Sequence, residues 1–429
     1  MLTAEKNDIL CRTSSSTPMG QLMRRYWLPV CLGADLVAGG APKRVRLLGE
    51  NLVAFRSPDG SLGLIDEACP HRGVSLALAR NEECGLRCLY HGWVMNAVGE
   101  VAETPAEPEG SRIKERVKFT AYPVRESGVF VFAYMGPPDL QPPPMDFDFS
   151  DLPASHVIVM RSREECNWAQ CIEGVLDSAH SNYLHSDGIK PKGGLSITED
   201  TDLKVAQFTR PSNDGAPRLE VEQQPFGFRY AALRRPMKNP ESNTYVRVTL
   251  YVAPVYAIFP APKGWASMQM FVPIDDEHTM FYYVLWKREA PIDDETRERY
   301  LEQHGMRVGV DMDEQFRKVG TRDNNWMQDR ESMMSGRSFS GIYGINTEDF
   351  AVQESMGPIV NRAREHLGAS DLAVIHFRRT IIDAAEKLAR EGAAPVGLGQ
   401  QVDYKALSSG EGMVPLGADW RRVCEPEPA

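Results

Sequence analysis

Alternating apolar and polar positions dominate the first part of the chain. In residues 43–68, the apolar runs VRLLG, LVAFR and LGLID are separated by turn-forming clusters such as SPDG at 57–60. A period of two that is interrupted by Pro, Asp and Gly is typical of antiparallel strands joined by hairpins. Similar runs return at 125–134, and residues 17–27 begin with Thr and Pro, which favour a short helix. The pattern therefore predicts a first domain made mostly of β-strands.

A proline-rich stretch separates this part from a second, mixed region. Residues 136–153 read GPPDLQPPPMDFDFSDLP, and because proline cannot join a strand ladder or a helix interior, they predict an extended linker. Beyond the linker we expect a helix around 167–184 and strands through 206–286. Further helices are expected after Asp294 and through 370–390, where apolar positions recur every three or four residues. These elements predict an α+β chain.

Composition and charge narrow the classes of protein to which the chain can belong. Of its 429 residues, 42% are hydrophobic and 25% are charged, which are ordinary values for a globular protein. The best apolar run, 248–261, is interrupted by Pro254 and Pro260 and is shorter than the roughly 18 residues of a membrane-spanning helix. The net charge of -11 disfavours nucleic-acid and anionic membrane partners. Because the first ten residues carry charges where a signal peptide would be apolar, we expect a cytoplasmic location.

Two of the eight cysteines fall in a pattern that suggests a metal. Cys69 and Cys88 begin the motifs CPHRG and CLYHGW, so each loop offers one thiolate and one imidazole, from His71 and His91. A 2Fe-2S centre of the Rieske type needs this inventory, because two Cys hold one iron and two His hold the other. A structural zinc site is the alternative, but zinc fingers usually pair Cys with Cys and His with His along the chain. The mixed loops therefore favour an iron-sulfur cluster.

A second group of metal-binding residue types follows the linker. Glu173, Asp177 and His180 are spaced by four and three, which would place them on one helical face. His185 comes five residues after His180, and five positions turn about 140° around a helix. Both histidines can therefore meet one metal only if the helix ends or distorts near 182–184, and SDG at 186–188 would suit the exit from the helix. Two His and one carboxylate form the facial triad of non-haem iron oxygenases. Spacing alone does not decide whether Asp177 or Asp349 supplies the carboxylate.

Longer stretches of the chain resemble one family closely. The segments TPMGQLMRRYWLPV, CPHRGVSLALAR, GLRCLYHGW and EDFAVQESMGPIVNRAREHLG, with the run at 173–185, resemble the oxygenase α-subunits of the Rieske ring-hydroxylating family, particularly the phthalate 4,5-dioxygenase-like group. The resemblance extends over nearly the full length. It implies a helical lead-in at 1–40, a Rieske 2Fe-2S domain at 41–140, a linker at 141–157 and a helix-grip catalytic domain with a curved antiparallel sheet at 158–429.

The same resemblance implies a role for each candidate residue. His180, His185 and Asp349 would bind a mononuclear Fe(II), and Asp177 would connect His180 to the cluster ligand His91 of a neighbouring subunit. Each chain would carry one 2Fe-2S cluster and one iron, and an NAD(P)H-dependent reductase or a ferredoxin would supply electrons. In this family electrons cross between subunits, and this group typically forms trimers of α-subunits alone, so the resemblance implies a homotrimer.

The resemblance also implies an aromatic acid as substrate. With O2, such an acid would undergo either ring dihydroxylation or, if it is a lignin-derived methoxylated acid, O-demethylation. Arg247, in the strand pattern YVRVTLYV, would suit a bidentate contact with a carboxylate if its side chain points inward. Arg210, Arg229 and Arg234 are weaker candidates for the same contact. The competing hypothesis is an electron-transfer protein whose C-terminal domain only docks partners.

Overall fold

The computed structural model describes residues 2–191, 208–398 and 402–424. The chain forms two compact units, a smaller one of residues 13–146 and a larger one that combines the described parts of 1–12 and 147–429. Among the described residues, no helix is both long enough and apolar enough to cross a membrane. The cytoplasmic location stays a prediction.

Three antiparallel sheets build the smaller unit. Trp27–Leu32 pairs with Phe130–Tyr134, which also pairs with Val124–Ser127. The strands of the second sheet are Lys43–Leu47, Glu50–Arg56 and Leu62–Asp66, and those of the third are Arg80–Glu82, Gly85–Arg87, Val94–Met95 and Val101–Glu103. The short helices are Pro18–Met23 and Ile113–Arg116. The β-rich character predicted from the alternating pattern is confirmed. The helix predicted at 17–27 ends at Met23 rather than at Trp27.

One apolar core fills the space between the second and third sheets. Val53, Phe55 and Ile65 come from the second sheet, and Leu86 and Met95 come from the third. The two cysteines of the paired motifs belong to the same core. Burial of these side chains is the main stabilisation available to a domain with strands this short.

A large antiparallel sheet forms the centre of the larger unit. In the described residues it has eight strands, in the order Val157–Glu164, Thr279–Trp286, Ala266–Pro273, Tyr256–Phe259, Asn243–Val252, Gly227–Arg234 and Arg218–Gln224, with Glu411–Pro415 also paired to Asn243–Val252. Ile189–Pro191 and Phe208–Arg210 form a separate parallel pair. The predicted start of the strand region at 206–207 lies outside the described residues.

Helices pack against this sheet and against one another. The helices of this unit are Ala4–Cys11, Trp168–Leu176, Asp294–His304, Arg330–Met334, Ile345–Ser355 and Leu372–Glu391. Trp168–Leu176 contacts both Ile345–Ser355 and Leu372–Glu391. The Phe377 ring packs edge-on against Trp168 and Tyr251, with centroids 5.8 and 5.0 Å away, which attaches the long helix to a second helix and to the sheet. The predicted α+β architecture is confirmed.

The helix predicted around 167–184 is shorter than expected. It begins after Asn167, whose side chain accepts a hydrogen bond from the Ala169 backbone, and it ends at Leu176. Asp177 is extended, and its Oδ1 accepts from the backbone N–H groups of Ala179 and His180 at 2.8 and 3.4 Å. An aspartate that bonds the following backbone competes with helix continuation. The expectation that Asp177 and His180 share a helical face was therefore wrong.

Candidate metal centres

The two Cys/His loops of the smaller unit have the same backbone geometry. The Cys69 amide donates to the carbonyl of Val74, and the Gly73 amide donates back to the Cys69 carbonyl, both at 2.8 Å. Cys88 and Gly92 repeat this pattern, with the Cys88 amide donating to the Trp93 carbonyl at 2.8 Å and Gly92 donating to Cys88 at 3.0 Å. The two glycines have φ values of 75° and 73°, where a side chain would be strained. The motifs thus fold as two copies of one turn.

The side chains of these loops meet at one place. Cys69 and Cys88 are each 3% exposed, and the His71 and His91 rings lie 4.5 Å apart between centroids. His71 also stacks flat on Trp93 at 4.6 Å, which fixes its ring plane. Burial, reinforced by Cys88, raises the pKa of the Cys69 thiol to about 11. A thiol that resists ionisation in an apolar core becomes a thiolate only against a strong positive charge, which iron supplies.

One buried nitrogen tests whether these residues fit a cluster. Nδ1 of His91 is buried and has no hydrogen-bond partner among the described residues. A buried polar atom without a partner is costly, and a metal bond is one way to satisfy it. Together with two buried thiols and a second imidazole, this atom completes the donor set of a 2Fe-2S centre with two Cys and two His.

In the larger unit, three side chains converge on one point. Nε2 of His185 lies 3.2 Å from Nε2 of His180 and 3.1 Å from Oδ1 of Asp349, and His180 Nε2 lies 3.5 Å from the same Asp349 oxygen. Nitrogen and oxygen ligands bind divalent metals at about 2.1 Å, so neighbouring ligands of one ion are about 3 Å apart. These three residues are also the His/Asp group that could hold a metal within the described ranges. Asp349, not Asp177, lies beside both histidines.

The carboxylates around the two histidines favour a positive charge at this site. Burial alone would lower the pKa of His185, but the carboxylates of Asp349 and Glu348 outweigh it and raise that pKa to about 10. Burial would raise the pKa of Asp349, but His185 and His180 keep it below its usual range. A proton on the imidazole is therefore strongly favoured in this pocket of carboxylates. A divalent metal is the natural replacement for that proton.

The two histidines have different outer contacts. His185 Nδ1 lies 2.7 Å from the Glu348 carboxylate, and both side chains are only 5% exposed. His180 Nδ1 lies 3.8 Å from Asp177 Oδ2, where the two side chains are 25% and 30% exposed. Asp177 therefore touches the site from its more open side, next to His180.

Glu173 is held in an ion-pair network and is not one of the three converging side chains. Its carboxylate accepts hydrogen bonds from Arg362 at 2.9 Å and from Arg378 at 2.7 Å, and Arg378 also pairs with Glu365. Burial would raise the pKa of Glu173, but Arg362 and Arg378 hold it below its ordinary value. The network joins the helix Trp168–Leu176 to the C-terminal part of the chain.

A cavity opens beside the three candidate ligands. Aromatic side chains form much of its wall, including Phe259, Phe271, Phe281, Tyr230 and Tyr283. Polar groups reach it at Arg210, Arg247, Thr249 and Gln269. An apolar slot with a few converging polar groups is typical of a small-molecule site.

Arg247 points inward and lines this cavity, but its guanidinium is already paired with the Glu411 carboxylate. Its guanidinium donates to Glu411 Oε2 at 3.0 Å, and the hydroxyl of Tyr245 donates to the same oxygen at 2.7 Å. Arg229 instead pairs with Glu222 and is absent from the residues that line the cavity.

Unlike Arg247, Arg210 has no carboxylate among its hydrogen-bond partners in the described residues. It is 4% exposed, and its guanidinium donates to Asn182 Oδ1 at 2.6 Å and Ser181 Oγ at 3.0 Å, both uncharged groups. Its Nε has no partner among the described residues. Burial, and then the nearby Arg234, lower the pKa of Arg210 to about 10.

Sequence reasoning missed two carboxylates, Glu348 and Glu411. Glu348 directly precedes Asp349, so the adjacent acids were visible, but nothing local connects Glu348 with His185. Nothing in the sequence indicated that Glu411 pairs with Arg247, because the two residues meet only through the pairing of Glu411–Pro415 with Asn243–Val252.

Two protein families match the chain. Residues 26–123 match the family described as Rieske [2Fe-2S] domain, and residues 133–426 match the one described as LigXa C-terminal domain like. Among solved structures, dicamba monooxygenase bound to 3,6-dichlorosalicylic acid superposes with a TM-score of 0.60 at 16% identity, covering 86% of this chain and 100% of that one. The superposition shows that the two chains share a fold.

Known proteins share the whole length of the chain. The phthalate 4,5-dioxygenase oxygenase subunit of Pseudomonas putida is 45% identical over 98% of this chain and 94% of its own length. The 3-chlorobenzoate-3,4-dioxygenase oxygenase subunit of Comamonas testosteroni is 35% identical over 99% and 98%. The 5,5'-dehydrodivanillate O-demethylase oxygenase subunit of a Sphingobium species is 31% identical over 91% and 82%. The chain therefore belongs to the Rieske oxygenases of the phthalate 4,5-dioxygenase-like group, as the oxygenase subunit of a multicomponent system with a 2Fe-2S cluster and a mononuclear iron.

Proposed function

We propose that this oxygenase oxidises an aromatic acid that carries two carboxylates, as phthalate does. The observation that carries the proposal is a surplus of buried positive charge at the iron cavity. Arg210, Arg234 and Arg247 are close enough to influence one another's pKa values. Among the described residues, only Glu411 gives any of them a hydrogen-bonded carboxylate.

At the cavity wall itself the surplus is about one charge, that of Arg210, because Arg234 does not line the cavity and the nearby Asp214 carboxylate stabilises its charge. Arg247 is balanced by Glu411, whereas Arg234 donates to the backbone carbonyls of Ser178 and Asp214 and Arg210 donates to neutral side chains. A buried cation without a counter-ion pays a desolvation cost that an incoming anion offsets. An anionic ring therefore suits this cavity better than a neutral one, and the two guanidinium groups on its wall, those of Arg210 and Arg247, can each face one carboxylate of a dianion.

Arg210 is the group we assign to a substrate carboxylate. It lines the cavity, its Nε has no partner in the described part of the chain, and guanidinium groups bind carboxylates in a bidentate manner. The aromatic ring would lie among Phe259, Phe271 and Phe281, which exclude water from the reacting carbon. Our proposal therefore moves the main substrate contact from Arg247 to Arg210, with Arg247 beside it.

His180, His185 and Asp349 would hold the mononuclear iron, and Cys69, His71, Cys88 and His91 would hold the cluster. When bound, the cluster supplies electrons and the iron supplies the chemistry of dioxygen activation. The chain's own residues orient the ring, neutralise its carboxylates and keep water away.

Asp177 is proposed as the connection between the two centres. Its carboxylate lies near His180 Nδ1 and is partly exposed, so a second group can reach it. By family resemblance that group is His91 of a neighbouring copy of the chain, within a homotrimer. A reductase or ferredoxin would deliver the electrons to the cluster.

One experiment tests substrate class and reaction together. The purified holoenzyme, with a reductase and NADH, is offered phthalate, isophthalate, benzoate and methoxybenzoates, while oxygen uptake and products are measured. We expect phthalate-dependent oxygen uptake, a cis-diol product and about three irons per chain. Formaldehyde release from a methoxybenzoate would indicate O-demethylation instead, and two irons without turnover would favour the electron-transfer protein.

A further inference from the structure

The imidazole of His185 is held by a buried chain of side chains. Its Nδ1 lies 2.7 Å from Glu348 Oε2, and the other Glu348 oxygen accepts a hydrogen bond from the Ser340 hydroxyl at 2.5 Å. Both contacts are buried. The Ile342 amide in turn donates to the Ser340 hydroxyl at 3.1 Å, which fixes that oxygen from the backbone.

We propose that Glu348, oriented by Ser340, is a positioning residue that keeps His185 in the orientation and tautomer needed to bind the mononuclear iron. In the proposed tautomer, Nδ1–H donates to the carboxylate and the lone pair on Nε2 is free to bind the metal. That nitrogen is the atom that lies 3.1 Å from Asp349 Oδ1. A carboxylate on the far side of a ligating imidazole also makes it a better donor to the metal.

The same short segment holds the backbone beyond His185. Asp187, two residues later, accepts hydrogen bonds from the Ser338 hydroxyl at 2.6 Å and from the Phe339 amide at 2.8 Å. Ser338 and Ser340 therefore act on opposite sides of His185, one through the turn that follows it and one through Glu348. This double attachment explains why the ring of His185 is only 5% exposed.

Within the described ranges, His180 has no equivalent arrangement. Its outer neighbour, Asp177, is 3.8 Å away and partly open to solvent. We therefore infer that His185, held in place by Glu348, retains the iron, whereas Asp177 contributes little to iron retention.

The inference rests on the proposed ligand set, and its test uses anaerobic holoenzyme loaded with iron. Loss of mononuclear iron to a ferrous chelator is followed over time in wild type, Glu348→Gln, Ser340→Ala and the control Ser335→Ala, whose hydroxyl lies on the exposed part of the same segment. We expect Glu348→Gln to lose iron about 10-fold or more faster, the lower end of the range for such outer contacts. Ser340→Ala should move in the same direction, and Ser335→Ala should match wild type.

Two spectra distinguish positioning from general damage. The visible spectrum of the 2Fe-2S cluster should be unchanged in every variant, whereas the electron paramagnetic resonance spectrum of the ferrous nitric oxide adduct should change in Glu348→Gln. Glu348→Asp, which keeps the charge, should recover part of the retention.

Wild-type iron loss and an unchanged nitric oxide spectrum in Glu348→Gln would overturn the inference. If Glu348→Gln does not fold, Ser340→Ala decides, and wild-type iron loss in that variant has the same meaning. His185→Ala separates this failure from failure of the ligand set, because a His185→Ala protein that keeps its iron would refute the ligand assignment itself.

Discussion

The guanidinium of Arg247 donates a hydrogen bond to Glu411 at 3.0 Å, and the Glu411 side chain is completely buried. The strand Glu411–Pro415 lies near the C-terminus and pairs with Asn243–Val252, so Glu411 and Arg247 are direct neighbours in the sheet. The counter-ion of a residue in the substrate cavity thus comes from a distant part of the chain.

Replacing Glu411 by Gln should destabilise the protein, because it leaves Arg247 buried without a carboxylate. Breaking a buried pair costs about 3 kcal/mol, which corresponds to a melting temperature lower by about 3–5 °C in a unit of this size. Glu222→Gln, which affects the more exposed pairs with Arg229 and Arg421, should cost less than about 1 kcal/mol. Thermal melts of the two variants measure the difference, and equal melting temperatures would contradict the proposed role of Glu411.

Arg210→Gln should weaken the binding of a dicarboxylate substrate. A charged hydrogen bond contributes about 1.5–3 kcal/mol, so we expect KM for phthalate to rise about 10- to 100-fold while iron content stays normal. Arg229→Gln is the matched control, because Arg229 is absent from the cavity wall. An unchanged KM in Arg210→Gln would move the carboxylate site elsewhere.

Asp349→Ala should remove the mononuclear iron and leave the cluster in place. The substitution takes away the carboxylate beside both histidines, and the cluster motifs lie in a separate unit. Metal analysis combined with the visible spectrum of the cluster measures both outcomes. A variant with full iron occupancy would show that another residue is the carboxylate ligand.

Asp177→Ala should abolish substrate-coupled oxygen consumption while the reduced cluster keeps its normal spectrum. The proposed reason is the loss of the carboxylate between His180 and the donor centre. Stopped-flow reoxidation of the reduced cluster in the presence of substrate and oxygen measures the effect. Normal turnover would refute the bridging role.

Glu173→Gln should lower stability in a way that depends on pH. The folded-state pKa of Glu173 lies below the unfolded value of about 4.3, so its contribution is complete above that value and disappears as the pH falls through the folded pKa. The melting temperatures of wild type and variant should therefore differ most between about pH 6 and 8 and converge as the pH falls below the unfolded pKa and through the lower folded-state pKa. Glu331→Gln, at an exposed position, should show no such gap at any pH.

The sequence by itself determined the family, the two kinds of metal centre and the residues of the cluster motifs. Each of these motifs is a short loop, and loop geometry over four or five residues depends on local bonds such as those that Cys69 and Cys88 make to their own turns. The strand pattern of the first domain was equally readable, because alternation is a local property.

Only the tertiary structure decided which carboxylate lies beside the two histidines and what supports them. Asp349 and Glu348 reach His185 from a helix that begins 160 residues after it, and Glu411 reaches Arg247 through strand pairing. Such distances depend on how the sheet and helices pack, which spacing along the chain does not encode. Even the end of the helix at Leu176 depended on Asp177, whose side chain bonded the next turn instead of extending the helix.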